Sequence, residues 1–135
     1  MSLEIKALST GLLRTSDHVA FRLGERVLYA APNAAEPFGA VANKAALVTS
    51  MRFLNRNASG AAPVTINIFF VRYDSTRILQ VRPTIRILPI NLSLTSGQLM
   101  VEDLPLTLEQ GDAILGEAGQ ANVIDYVING LERDV

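Results

Sequence analysis

The fold class follows from one stretch of the chain, Val64-Thr65-Ile66-Asn67-Ile68-Phe69-Phe70-Val71-Arg72. Val64, Ile66, Ile68 and Phe70 recur at every second position and share one face of an extended chain, whereas Thr65 and Asn67 occupy the other face. The stretch is also rich in β-branched and aromatic residues, which pack well on a pleated surface. It therefore predicts a β-strand with one face against a core.

A second strand is predicted just before this one, at residues 47–54. Period-two alternation places Leu47, Met51 and Phe53 on one face together with Thr49, and Val48 on the opposite face with Ser50, Arg52 and Leu54. The polar run of residues 55–60 is rich in turn formers and joins the two strands into a hairpin.

The same pattern recurs to the end of the chain. Residues 99–108 form a strand that Pro105 interrupts, and residues 113–117 and 123–130 form two more. We count about eight short strands, with turn signals roughly every ten residues, which is typical of a sandwich or barrel. We predict an all-β antiparallel β-sandwich, jelly-roll-like, with this core: Val64, Ile66, Ile68, Phe70, Ile124, Tyr126 and Ile128.

The chain of 135 residues predicts one domain over residues 1–135, with an N-terminal extension. Within residues 1–24 the sequence allows two interpretations, an ordinary first strand around Val19–Leu23 or an arm that grips a neighbouring subunit. The arm would use apolar residues that have little evident role in the sandwich, and these are interface candidates: Leu3, Ile5, Leu8, Leu12 and Leu13. Residues 34–46 are rich in alanine and are predicted to be a loop.

Composition excludes several classes of function. The net charge of -1 argues against a nucleic-acid partner and against capture by an anionic membrane. Cysteine is absent, which excludes disulfides and thiolate chemistry and fits synthesis in a reducing cytoplasm. No signal peptide or membrane-spanning run is expected, because the apolar stretches are short.

No catalytic or cofactor motif is found. His18 is the only histidine, so neither a histidine-rich metal site nor a recognisable triad can be assembled from the sequence. The adjacent Glu102 and Asp103 would point to opposite faces of a strand, and so would not converge on one metal ion. We therefore expect a protein that is not an enzyme, with no cofactor and no metal.

Four arginines in the middle of the sequence leave three interpretations open. They could protect strand edges from aggregation, pair with acidic residues of a neighbouring subunit, or bind a polyanion. Aromatic residues are not interleaved with them, which disfavours base stacking. As interface candidates they are Arg72, Arg77, Arg82 and Arg86.

A resemblance rests on several motifs in order: residues 48–57, residues 64–71, Asn91-Leu92-Ser93-Leu94, Leu104-Pro105-Leu106-Thr107-Leu108-Glu109-Gln110-Gly111-Asp112, and Val127-Ile128-Asn129-Gly130-Leu131-Glu132. This pattern resembles small β-sandwich structural proteins of tailed bacteriophages and prophages. In the Gly-Asp turn, Gly111 can take a positive φ and the Asp112 side chain can cap the turn.

The resemblance implies a virion structural protein, most simply a capsid decoration or cement protein that binds the major capsid protein or another virion protein. It also implies a symmetric homo-oligomer, with a trimer favoured by analogy with jelly-roll shell proteins. A tail, neck or fibre-associated adaptor or receptor-binding module is the alternative. A small-molecule-binding barrel or an enzyme is a third class, which would need a concave pocket with convergent polar groups.

Overall fold

The chain folds as β-strands in the computed structural model, which describes residues 6–15, 26–32, 43–72, 85–103 and 105–135. Within these ranges there is no helix. The strands are β1 (Lys6–Leu12), β2 (Val27–Ala30), β3 (Lys44–Asn55), β4 (Val64–Val71), β5 (Ile85–Arg86), β6 (Leu92–Leu94), β7 (Leu99–Glu102), β8 (Leu106–Leu108), β9 (Ala113–Ala118) and β10 (Ile124–Asp134).

The strands form two antiparallel sheets. Sheet A has the order β1-β10-β3-β7, and β8 also pairs with β3, along its first half. Sheet B has the order β2-β9-β4-β5, and β6 also pairs with β4. One core cluster contains residues of both sheets, so the sheets pack face to face. The all-β sandwich prediction is confirmed.

The core lies between the sheets and contains every residue that the alternation placed there. Those seven side chains are between 0% and 7% exposed, which confirms the prediction, and they are Val64, Ile66, Ile68, Phe70, Ile124, Tyr126 and Ile128. Burying side chains of this size stabilises the fold by about 1.5–3 kcal/mol each. The inner faces of β4 and β10 therefore supply much of the core.

One polar side chain is buried at an end of this core. Asn55, at the end of β3, is 0% exposed, and its Nδ2 donates a 2.8 Å hydrogen bond to the Leu94 carbonyl oxygen of β6. Its Oδ1 accepts a 2.9 Å bond from the Asn57 backbone N–H. Because both ends of the amide are bonded, Asn55 joins the two sheets at little desolvation cost.

The predicted faces of β3 are wrong in its first half. Ala46 and Val48 are buried together with Met51 and Phe53, although two are even-numbered and two odd-numbered. The register against β10 shifts at this point, because Ser50 pairs with Asn129 while Val48 pairs with Gly130. Thr49 is thus the extra residue of a β-bulge, which moves the preceding residues to the opposite face.

The N-terminal segment is part of the sandwich, which corrects the arm prediction for residues 6–13. β1 pairs with β10 along its length, and the Ser9 hydroxyl donates to the Leu28 carbonyl oxygen in the other sheet. Leu13 is 0% exposed and belongs to the core, and Leu8 packs against it. The alternative first strand at Val19–Leu23 lies outside the described residues.

Two further sequence predictions concern loops. The predicted loop of residues 34–46 is wrong at its end, because β3 begins at Lys44, while residues 34–42 lie outside the described residues. The predicted break at Pro105 is confirmed, since Pro105 lies between β7 and β8.

The outer face of sheet B also carries a second cluster of buried apolar side chains, namely Val27, Phe69, Val71, Ala113 and Leu115.

Candidate functional site

The outer face of sheet A brings together side chains from four strands. Met51 and Phe53 of β3 point into the core, so the residues between and beyond them, Arg52 and Leu54, point outward. Cross-strand pairing then places outward side chains in two rows. The first row is Thr10, Val127, Arg52 and Val101, and the second is Leu12, Asp125, Leu54 and Leu99.

A trough runs across these rows, with a volume of about 720 Å³. We call this trough and its lining the sheet A trough. Its lining is Thr10, Gly11, Leu12, Arg52, Leu54, Arg56, Leu99, Asp125, Tyr126 and Val127. Apolar side chains predominate on the walls, with a few charges between them, which is the composition of a surface that binds another molecule.

The charges of the trough are unevenly paired. Arg56 Nη1 lies 3.5 Å from Asp125 Oδ1, and both side chains are about half exposed, so solvent screens this pair and it contributes little stability. The Arg52 side chain is exposed and makes no ion pair or hydrogen bond with any residue in the described part of the chain. The trough therefore has one internal ion pair and one arginine available to a partner.

The edge of the trough is an apolar rim on β7. Leu99 is 51% exposed and Val101 is 39% exposed, although both are large hydrophobic residues. Among the described strands, β7 pairs only with β3, so it forms an edge of sheet A. An apolar edge strand is a surface on which another chain can pack.

Two of the four arginine candidates, Arg72 and Arg86, lie within the described residues. Arg86 belongs to β5, where its Nη1 donates a 2.7 Å hydrogen bond to Asn67 Oδ1 and its guanidinium lies 4.8 Å from the Phe69 ring centroid. It is thus engaged by its own chain. Arg72 is exposed immediately after β4, and Arg77 and Arg82 lie outside the described residues.

Of the five apolar N-terminal candidates, three lie within the described residues and differ in burial. Leu13 is a fully buried core residue and is not available to a partner, whereas Leu8 packs against the core and keeps part of its surface exposed. Leu12 lines the sheet A trough and keeps its place as an interface candidate. Leu3 and Ile5 lie outside the described residues.

The Gly-Asp turn has the conformation that the sequence predicts. Gly111 has a φ of 86°, and Asp112 Oδ2 accepts a 2.9 Å hydrogen bond from the Glu109 backbone N–H. Asp112 is only 4% exposed, and its own N–H donates to the Glu109 carbonyl oxygen. These bonds close the connection between β8 and β9.

Two residues of the closing motif, Gly130 and Glu132, also have defined structural roles. A Cβ at Gly130 would lie 2.1 Å from the Leu47 carbonyl oxygen, so only glycine fits opposite the bulge of β3. Glu132 Oε2 accepts a 2.5 Å hydrogen bond from the Tyr29 hydroxyl. Burial raises the pKa of Tyr29 well above its ordinary value of 10.0, and the hydrogen bond and charge of Glu132 raise it further.

Sequence reasoning missed Arg52, Leu99, Val101 and Asp125 as candidates. Leu99 and Val101 do alternate along the chain, but the same alternation marks core residues, so only the structure separates a buried row from an exposed one.

No group of three or more histidine, cysteine, aspartate or glutamate side chains that could hold a metal ion occurs in residues 6–15, 26–32, 43–72, 85–103 and 105–135. None of the described elements is a long apolar helix able to cross a membrane.

Comparison with known proteins adds no family. No protein-family model matches the chain, and neither a curated protein nor a solved structure does. The likeness to phage structural proteins therefore stays a prediction from the motifs.

Proposed function

We propose that this chain is a non-enzymatic structural protein of a tailed-phage virion, which decorates or cements the head shell through contacts between subunits. The observation that carries this proposal is the strand order, β1-β10-β3-β7 in one sheet and β2-β9-β4-β5 in the other. The motifs of the resemblance and the surfaces of the sandwich support it independently.

The strand order favours a jelly roll. β5 and β6 both pair with β4, and β7 and β8 both pair with β3, so each of these couples fills one strand position. On this count each sheet has four positions, and the chain changes sheet at most of its connections. Interlocked antiparallel sheets of about eight strands are the arrangement of jelly rolls, which recur in viral shell proteins.

The motifs that suggest phage proteins coincide with structural requirements. Gly111 and Asp112 form the turn after β8, Gly130 accommodates a bulge, and Glu132 joins the sheets. Each of these four residues is fixed by backbone or inter-sheet geometry. Four residues of the resembling motifs are thus ones that this sandwich needs, which supports a shared fold with the resembled proteins.

The surfaces suit a protein that acts by association. Exposed large apolar side chains lie at strand edges of both sheets, with Leu99 and Val101 on β7, and Ile85 on β5. Ile90, just before β6, is 63% exposed. We propose a symmetric homo-oligomer, with a trimer favoured by analogy with shell proteins, bound to the major capsid protein or another virion protein.

The near-neutral charge of the chain supports protein partners and argues against nucleic acid or membrane. The protein would be made in the bacterial cytoplasm and incorporated into the virion. Contacts with a shell would then depend on apolar and hydrogen-bonding surfaces, with limited sensitivity to salt.

Rebinding to stripped particles tests this function. Virions of the phage whose genome carries the chain are treated with mild denaturant to remove the protein, and purified protein is added back to the intact shells. We expect saturable rebinding and a higher melting temperature of the shell. Shells that take up no protein, or protein that binds only isolated tails, would overturn the head-decoration proposal, and the second outcome would establish the tail or neck alternative.

A further inference from the structure

The outer face of sheet A carries an exposed apolar rim beside the sheet A trough. The rim is formed by Leu99 and Val101 on the edge strand β7, which are 51% and 39% exposed. The trough extends from β7, where Leu99 also lines it, over β3 and β10 to β1. One face thus contains both halves of an apolar contact.

Such an offset fits association with a second copy. In a two-fold contact the same patch is used by both subunits, so that residue i meets residue j and residue j meets residue i. When the rim of one copy enters the trough of a second copy, the rim of the second copy enters the trough of the first. The four apolar side chains nearest this contact would leave water together, namely Leu12, Leu54, Leu99 and Val127.

The charges of the face fit the same arrangement. Arg52 pairs across the strands with Val127, and Asp125 lies two residues before Val127 on the same outward face, so Arg52 and Asp125 are diagonal neighbours. A two-fold axis between them would place each Arg52 against Asp125 of the other copy. A carboxylate has two oxygens that accept hydrogen bonds, so Asp125 can bond both Arg56 of its own chain, which approaches Oδ1, and an incoming arginine.

We propose that the sheet A trough and its rim form a two-fold contact between two copies of this chain, held by apolar burial and by two symmetric Arg52–Asp125 pairs. This deepens the proposed function, on which it rests, because it names the surface through which copies associate. The contact closes at two copies, so a threefold contact would use other surfaces, and the two together give a closed pair of trimers where the two-fold axes cross the threefold axis at right angles.

Charge reversal provides the sharpest test, because a two-fold contact makes a specific prediction about the double variant. In R52E the new glutamate of each copy would face Asp125 of the other copy, so that two pairs of acidic groups meet. In D125R Arg52 of each copy would face the new arginine of the other copy, so that two pairs of arginines meet. Each single change should weaken the two-fold association by about 100-fold or more. The double variant R52E/D125R restores opposite charges across the axis and should recover the association. R133E changes the same charge at an exposed position on β10 outside the trough, and should have no effect.

The measurement is the molar mass of the purified full chain by light scattering and sedimentation, over a range of concentrations. We expect the wild type, R133E and the double variant to share one mass, and each single variant to show half of it. Far-UV circular dichroism checks that each variant is folded, and L99S, at an exposed rim position, gives an independent loss of association.

Two results would overturn the two-fold contact. One is a wild-type monomer at tens of micromolar, and the other is an oligomer whose mass is the same in R52E, D125R and L99S. Neither result decides the shell-binding function, because rebinding to stripped particles is measured separately. Failure of the contact and failure of the proposed function are thus distinguished.

Discussion

The Tyr29 hydroxyl donates a 2.5 Å hydrogen bond to Oε2 of Glu132 and so joins sheet B to sheet A. Tyr29 is only 6% exposed, and its ring belongs to the core cluster between the sheets. A buried donor and a carboxylate that are 103 residues apart in sequence therefore hold one end of the sandwich together.

Substitution of Tyr29 by phenylalanine should destabilise the fold by about 1.5–3 kcal/mol, the cost of losing a hydrogen bond to a charged group. The free energy of unfolding in urea measures it. Y126F is the matched control, since Tyr126 is 7% exposed, close to the 6% of Tyr29, and sits in the same core. A loss at Tyr29 no larger than that at Tyr126 would show that the Glu132 bond contributes nothing.

Tyr29 should also make the stability of the protein depend on pH in the alkaline range. Its pKa in the folded state is raised above 10.0, so the folded state keeps the hydroxyl proton that the unfolded state loses. The contribution of the protonated Tyr29 hydroxyl to the free energy of unfolding is therefore complete below pH 10. Above pH 10 this contribution falls by about 1.4 kcal/mol per pH unit. The difference in free energy of unfolding between wild type and Y29F, measured from pH 8 upward, isolates this term. A difference that stays constant above pH 10 would contradict the raised pKa.

Replacement of Gly130 by alanine should be strongly destabilising. The new Cβ would lie 2.1 Å from the Leu47 carbonyl oxygen, which is a backbone atom and cannot rotate away. We expect a loss of about 1–3 kcal/mol or more, because the β3–β10 pairing must shift. G119A is the control, since the atom nearest to its new Cβ would be the Thr65 side-chain hydroxyl oxygen at 3.0 Å, and the backbone atoms of Thr65 would lie at 3.9 Å. Equal effects at the two glycines would mean that the bulge tolerates a side chain.

Ile66→Asp should prevent folding. Ile66 is 0% exposed at the centre of the core, and a carboxylate there would have no partner. S93D adds the same charge to an exposed residue of the neighbouring strand β6 and should leave the fold intact. Far-UV circular dichroism reports both. A β-rich spectrum for I66D identical to that of the wild type would contradict the placement of the core.

Local chemistry explains which parts of the structure the sequence predicts. The φ of Gly111 and the bond from Glu109 to Asp112 depend only on a few adjacent residues, so the turn could be derived from them. The inward rows of β4 and β10 follow from period-two alternation for the same reason. Both features are decided within about ten residues of chain.

Features that depend on a distant partner could not be derived. The bulge at Thr49 is set by the register against Gly130, so alternation alone placed Val48 on the wrong face. The role of Leu13 depends on its burial between two sheets. The sequence near Leu13 does not distinguish a buried apolar residue from one that contacts a partner. The sheet A trough combines side chains that lie as far apart in the sequence as Thr10 and Val127. The spacing of these residues does not predict that they meet.

The central claim, that this chain is a component of a phage head, is tested most directly by its copy number in purified virions. Quantitative peptide mass spectrometry of gradient-purified particles gives the molar ratio of this chain to the major capsid protein. We predict a ratio of the same order as one chain per capsid subunit or per local symmetry axis of the shell. A ratio equivalent to only a few copies per particle, or absence of the chain from the particles, would contradict head decoration.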